Sequence, residues 1–155
     1  MTVLAQNSYS NSHACQPRGG LFASLLEIDD LSAAIARFAE DFGLPFEGTE
    51  DVQAALTTTA FFPIGGTQIE LIHPLDGQGP VAASLAKRGP GLHHICFRTD
   101  DIEADMARLT AKGYRFLSEA PKPGAHGTRT AFIHPKDTGG VLVELAQHPD
   151  DPAHG

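Results

Sequence analysis

Cationic residues are scarce: 11 Lys and Arg stand against 19 Asp and Glu, a formal net charge of −8. That balance argues against a nucleic-acid partner, which would need a basic face to displace phosphate counterions. It says little about a small substrate, because a local basic pocket survives in an acidic protein. Cysteine is nearly absent. Cys15 and Cys96 lie far apart in unlike contexts, so no disulfide framework is implied and a reducing cytoplasm is the expected compartment. No apolar run approaches the roughly 20 residues of a membrane helix, and no membrane partner is expected. The first 20 residues lack the cationic start and apolar core of a secretory signal. Rich in Ser, Asn, Gln and Gly, they read as a flexible arm, and residues 148–155 read as a polar tail.

Between these ends, residues 21–147 form one predicted domain, and 41% hydrophobic content suits an ordinary globular core. Leu21 to Ile28 reads as a strand, with Asp29-Asp30 as a helix N-terminus. Leu31, Ile35, Phe38 and Phe42 then recur at helical spacing until Gly43. Pro45 to Ala55 reads as a polar connection. Thr57 to Ile64 and Thr67 to Ile72 are strands joined by the Gly65-Gly66 turn. Pro74 to Pro90 reads as a loop with one helical turn around Val81 to Ala86.

The pattern then restarts. His94 to Thr99 is a strand, Asp100-Asp101 opens a helix, and Glu103 is placed to close a capping-box-like turn. Ile102, Met106 and Leu109 form the stripe, ended by Gly113. Arg129 to His134 and Val141 to Ala146 are the last strands, around Gly139-Gly140. Leu31 with Ile102, Ile35 with Met106 and Phe38 with Leu109 share one offset of 71 residues. A fixed offset implies duplication and two related modules, about 21–75 and 91–147. Helices would cover one face of each sheet and leave a concave cleft on the other. The predicted class is α+β, with paired βαβββ modules.

Strand alternation identifies what lines such a cleft. His94, Cys96 and Arg98 share a face; so do Gln68, Glu70 and Ile72, and so do Leu142, Glu144 and Ala146. Glu70 and Glu144 occupy equivalent strands otherwise filled with aliphatic residues. Burying a carboxylate costs several kcal/mol unless it is paired or bound to a cation. Two carboxylates and His94 in one cleft point to a hard divalent metal. The position 71 residues before His94 is Ala23, and Arg98 is matched in the same way by Glu27, which suggests an inward Glu27–Arg98 pair or two solvated strand ends. His93 is expected to point away from the cleft; His126, on a loop, is either a cap for the site or a residue of the loop alone. His134 is expected to order a turn, His73 to end a strand and Cys96 to be a small core residue. Lys87, Arg88 and Lys122 read as scattered surface cations. His13, in the arm, is a remote substitute for a missing ligand.

Gly65-Gly66-Thr67-Gln68-Ile69-Glu70-Leu71-Ile72-His73-Pro74, Gly91-Leu92-His93-His94-Ile95, Lys122-Pro123-Gly124-Ala125-His126-Gly127 and Gly139-Gly140-Val141-Leu142-Val143-Glu144-Leu145 resemble the vicinal oxygen chelate superfamily. Within it the likeness is to the methylmalonyl-CoA epimerase branch, over about residues 21–147. The resemblance implies Glu70, His94 and Glu144 as ligands of a divalent metal ion, and a homodimer. The family's first histidine falls on Ala23, and the epimerases' acid/base glutamate falls near Thr59. The implied function is an epimerase- or isomerase-like enzyme acting on a small acyl or carboxylate substrate, such as a CoA or carrier-protein thioester. Glu144, Glu27 and Arg98 are the candidate catalytic residues. The alternatives are a metal-free member that cyclises or binds a ligand through Glu27, Arg98 and His94, and a glyoxalase-type lyase.

Overall fold

The computed structural model describes residues 20–150; His13, Cys15 and most of the N-terminal arm and the C-terminal tail lie outside them. In the first module, strand β1 (Leu21–Glu27) leads into helix α1 (Leu31–Ala36) and then into β2 (Gly48–Val52), β3 (Thr57–Ile64) and β4 (Thr67–Pro74). Helix α2 (Gly79–Arg88) links it to β5 (Gly91–Arg98), α3 (Ile102–Ala111), β6 (Lys122–Pro123), β7 (Arg129–Ile133) and β8 (Leu142–Gln147). Both halves are therefore βαβββ, as the repeat predicts. All eight strands join one sheet in the order β2-β3-β4-β1-β5-β8-β7-β6. Its centre is the antiparallel β1–β5 pair, one strand from each module, flanked by the parallel pairs β1–β4 and β5–β8.

Helices α1 and α3 each begin where an aspartate satisfies an orphan backbone N–H. Asp30 accepts from Ala33 N and Asp101 from Ala104 N. Glu103 closes no capping box, because it is the second helical residue rather than the third; it pairs with Arg129 on β7. α1 continues as a π-helical turn over Arg37–Asp41, ended by Phe42 N donating to Arg37 O. The wider turn breaks the 3.6-residue stripe. Phe42, expected on the buried face, is 61% exposed, its ring edge-on to that of Phe38.

Strand alternation sorts the side chains into two layers. On the helix side, Ala34 packs with Ala60, Phe62 and Leu71, while Ile102 and Met106 pack with Ala131 and Leu145. On the other side Ala23, Leu25, Ile72, Cys96 and Ala146 form an apolar floor. The concave face is not bare, however. The Pro74–Pro90 segment, expected as loop with one helical turn, holds the ten-residue α2, whose Val81 and Leu85 lie on that floor. The segment expected as a polar connection holds the edge strand β2, whose Thr49, Glu50 and Asp51 pair with Ala60, Thr59 and Thr58.

The sheet curls until its two edges meet. Glu50 on β2 accepts from the backbone N of His126, at 2.9 Å through Oε2, in the turn that follows β6 at the opposite edge. The His126 side chain returns to the same carboxylate, Nε2 to Oε2 at 3.3 Å, and its ring lies 4.2 Å from that of Phe61. His126 adopts φ +53°, a left-handed backbone strained for a residue with a Cβ, where the contacts to Glu50 and Phe61 hold it. No helix among the described residues is long and apolar enough to cross a membrane.

Candidate active site

The curled sheet encloses a cavity of about 380 Å³ on its concave face. Gln68 and Glu70 from β4 and Leu142 and Glu144 from β8 line it, together with His94 from β5. The register fixes their relative places. One row across the sheet runs Glu70–Leu25–His94–Leu142, and the next runs Gln68–Ala23–Cys96–Glu144. The two carboxylates thus come from equivalent strands of the two modules, and each is backed by a phenylalanine, Phe61 beside Glu70 and Phe132 beside Glu144. Both are more than nine-tenths buried.

Burial has an electrostatic consequence. The Glu70 carboxyl is pushed up to about 7, first by desolvation and then by the nearby charge of Glu144, against the Gln68 side-chain amide that donates to it at 2.6 Å. At neutral pH the Glu70 carboxyl therefore stands between its acid and carboxylate forms. Glu144 meets Nε2 of His94 at 2.9 Å, and Phe132 packs edge-on against that imidazole. Burial, then the charge of Glu144, drives the Cys96 thiol upward, which disables it as a nucleophile and leaves it a core residue.

The expected orientation of His93 is reversed. The β1–β5 register shifts between Leu25 and Leu26, which face His94 and Leu92, so His93 is the extra residue of a β-bulge. The bulge turns His93 inward with His94; their Nδ1 atoms are 2.7 Å apart, and both rings line the cavity. His93 is held well below the ordinary histidine range, at about 4, by burial first and then by the charges of His94 and Arg88.

The expected Glu27–Arg98 pair does not form. Because β1 and β5 are antiparallel, matched positions fall at opposite ends, with Glu27 in register with Gly91 and Arg98 at the other end of β5, past the Leu21–Phe97 pair and beside Ala146 of β8. Arg98 is not among the residues lining the cavity. Glu27, 1% exposed, instead accepts from Ser84 at 2.9 Å and from Arg88 at 3.4 Å, both on α2, and lies 3.1 Å from Nε2 of His93. Thr59 and Ala23 take the places seen in the sequence. Thr59 is buried on the cavity wall, and Ala23 is sealed in the apolar floor. His126 and Lys122 line the cavity mouth; His134 orders the turn after β7 by accepting from Lys136 N, and His73 binds the Ile28 carbonyl at 2.8 Å.

The donor set does not fit a resident metal ion. Nδ1 of His94 is bonded to His93 and Nε2 to Glu144, the Ala23 place offers no donor, and Gln68 occupies one oxygen of Glu70. Among the described residues no group of three or more His, Cys, Asp and Glu side chains is placed to hold one.

Paired βαβββ modules that enclose a polar cleft on one curled sheet define the vicinal oxygen chelate class of proteins. The chain belongs to the glyoxalase/bleomycin resistance protein/dioxygenase superfamily, whose sequence profile matches residues 26–132. It is 41% identical over 124 residues to an ethylmalonyl-CoA/methylmalonyl-CoA epimerase of Cereibacter sphaeroides, covering 79% of this chain and 92% of that one. It is 40% identical over 123 residues to the mitochondrial methylmalonyl-CoA epimerase of Homo sapiens, covering 79% and 70%. A solved Streptomyces coelicolor methylmalonyl-CoA epimerase in complex with 2-nitronate-propionyl-CoA superposes with a TM-score of 0.79 at 32% identity, over 83% of this chain and 96% of that one. The chain thus sits with isomerase-class enzymes of the family.

Proposed function

We propose that the chain epimerises the α-carbon of a malonyl-type acyl-CoA thioester by moving its α-proton between two carboxylates. The observation that carries this is the pair Glu70 and Glu144, buried in one cavity on equivalent strands of opposite modules. Inverting a carbon beside a thioester carbonyl needs a base on one face and an acid on the other. Two carboxyls that share a proton supply both, and exchange roles when the reaction runs backwards. In one direction the ionised carboxylate removes the α-proton, the electron pair moves onto the thioester oxygen, and the protonated partner delivers a proton to the opposite face. Gln68, which has a second amide hydrogen beyond the one given to Glu70, and the Thr59 hydroxyl on the cavity wall supply donors for the enolate oxygen.

The divalent ion implied by the family resemblance would have to displace the His94–Glu144 bond. Metal analysis of untagged protein with a chelator control tests that alternative; a full equivalent of tightly held ion would oppose the carboxylate reading. The same reading carries a homodimer, checked by light scattering. A binding-only member is the second reading, favoured by Thr59 standing where the resemblance implies a glutamate. Deuterium uptake into methylmalonyl-CoA, followed by mass spectrometry, separates the two. The wild type should exchange the α-hydrogen, and E70Q and E144Q should each lose at least ~100-fold, the usual scale for a general acid or base. Tight acyl-CoA binding without exchange would establish the binding reading.

A further inference from the structure

The two ends of the cavity are chemically unlike, although the modules that build them are related. Two residues on from Glu70 and Glu144, the equivalent strands β4 and β8 carry Ile72 and Ala146. Around Ile72 the walls are aliphatic. Leu25 and Ile72 form the floor, Val81 of α2 the roof and Val52 of β2 the side, with Ala55 and Pro80 at the rim. Leu25, Val52, Ile72 and Val81 are all buried. The polar groups at this end are the Thr57 and Thr59 hydroxyls. Around Ala146 the lining is polar instead, with Lys122, His126, Thr128 and His148.

The difference comes from what covers each end. Among the described residues α2 has no counterpart after β8, and it lays Val81 and Leu85 over the first-module end alone. Along β4 this aliphatic lobe runs from Glu70 to the Pro74–Thr57 pair, four residues or about 13 Å at ~3.3 Å per residue. A methyl group, one bond of about 1.5 Å from the α-carbon, fills little of that length. Hydrocarbon suits such walls better than any polar group does, since each methylene taken out of water is worth about fourfold in binding.

We infer that the lobe seats the α-alkyl substituent of the substrate, that the chain accepts α-ethyl and α-propyl thioesters as well as α-methyl, and that Val81 and Ala55 set the limit of length. The hydrocarbon then points to the first-module end. The charged parts of the thioester, its free carboxylate and the CoA phosphates, are left to the end that carries Lys122 and His126. The inference rests on the epimerase reading for its reaction; the preference of the lobe for alkyl groups does not.

The test takes methyl-, ethyl-, propyl- and butylmalonyl-CoA, follows their α-deuterium uptake for kcat/KM, and measures their affinities by calorimetry. In the wild type each methylene added up to propyl should tighten binding about three- to fourfold. Val81→Phe fills the lobe and should lower kcat/KM for propyl at least ~10-fold more than for methyl, the scale of a lost methylene site in an apolar pocket. Ala55→Leu, on an exposed turn where a larger side chain leaves the core untouched, should shift the same ratio at least ~3-fold, and it carries the test if V81F does not fold. Val81→Ala should extend the accepted length to butyl. A propyl-to-methyl ratio that stays at the wild-type value in A55L and in folded V81F overturns the inference. So does a KM raised equally for all four thioesters, which would put the pantetheine arm in the lobe. If the wild type exchanges none of them, the epimerase reading fails and the affinities decide the lobe alone: a rise from methyl to propyl that A55L removes supports it, and a flat series overturns it.

Discussion

Replacing Glu70 by glutamine should remove a pH dependence of stability that the wild type carries. The folded-state value of about 7 lies above the unfolded value of 4.5, chiefly because the carboxyl is buried. Between those limits the folded state binds a proton that the unfolded chain has released, so this residue's contribution is full below pH 4.5 and is lost as pH rises through 7. At 1.36 kcal/mol per pH unit the loss is about 3 kcal/mol, on the order of a third of a small domain's stability. His93 works in the opposite sense. Its folded value of about 4 lies below the ordinary 6.5, so its contribution is lost as pH falls from 6.5 towards 4. The wild-type profile alone would blur the two. The difference between wild type and E70Q isolates one of them, because His93 is common to both. Urea titrations at half-unit steps between about pH 4.5 and 8 give that difference directly. It should move in favour of E70Q by about 3 kcal/mol across the range. E144Q, which removes only the second cause, should keep most of the slope. A wild-type minus E70Q difference that is flat with pH would refute the assignment of a buried, proton-holding Glu70.

Four further outcomes follow from the packing. Ala23→His places an imidazole in a sealed apolar floor and should cost about 1–3 kcal/mol by overpacking; calorimetric metal titration should show new divalent binding only if the ring reaches Gln68 and Glu144 from that row. His126→Ala should change urea stability by under ~1 kcal/mol, since its pair with Glu50 is solvated, yet weaken acyl-CoA binding several-fold in a fluorescence titration. Gly124→Ala should disturb the same turn more, because the added Cβ would stand 2.6 Å from Thr128 Oγ1 and 2.6 Å from Thr130 Cγ2; a thermal melt unchanged from wild type would show that the turn yields freely. Asp101→Ala should lose about 1 kcal/mol through its cap to Ala104 N, as should Asp30→Ala, both read by chemical denaturation.

The repeat made the module plan legible, because caps, stripes and turns recur at one offset and each is a local signal. Strand parity put Glu70, Glu144 and His94 on one face for the same reason. The failures share a cause: they depend on how strands meet. No local pattern announces the bulge at His93, since a bulge is a mismatch between two strands and β1 is far away in sequence. The Glu27–Arg98 expectation ignored that antiparallel central strands carry matched residues to opposite ends. Gly79-Pro80 before Val81 does mark the start of α2, as proline in a first turn often does. The π turn that exposes Phe42 had no such marker.

The contact between Glu50 and His126 has a bearing on chemistry that neither residue performs. Because eight strands form one continuous ribbon bent until its margins touch, the gap between Glu70 and Glu144 depends on the bend of the whole ribbon. Slackening it at the margin lets every inter-strand twist relax a little, and the two acids move apart together. Changes at the rim, far from the reacting carbon, should therefore tune proton transfer as a matter of curvature.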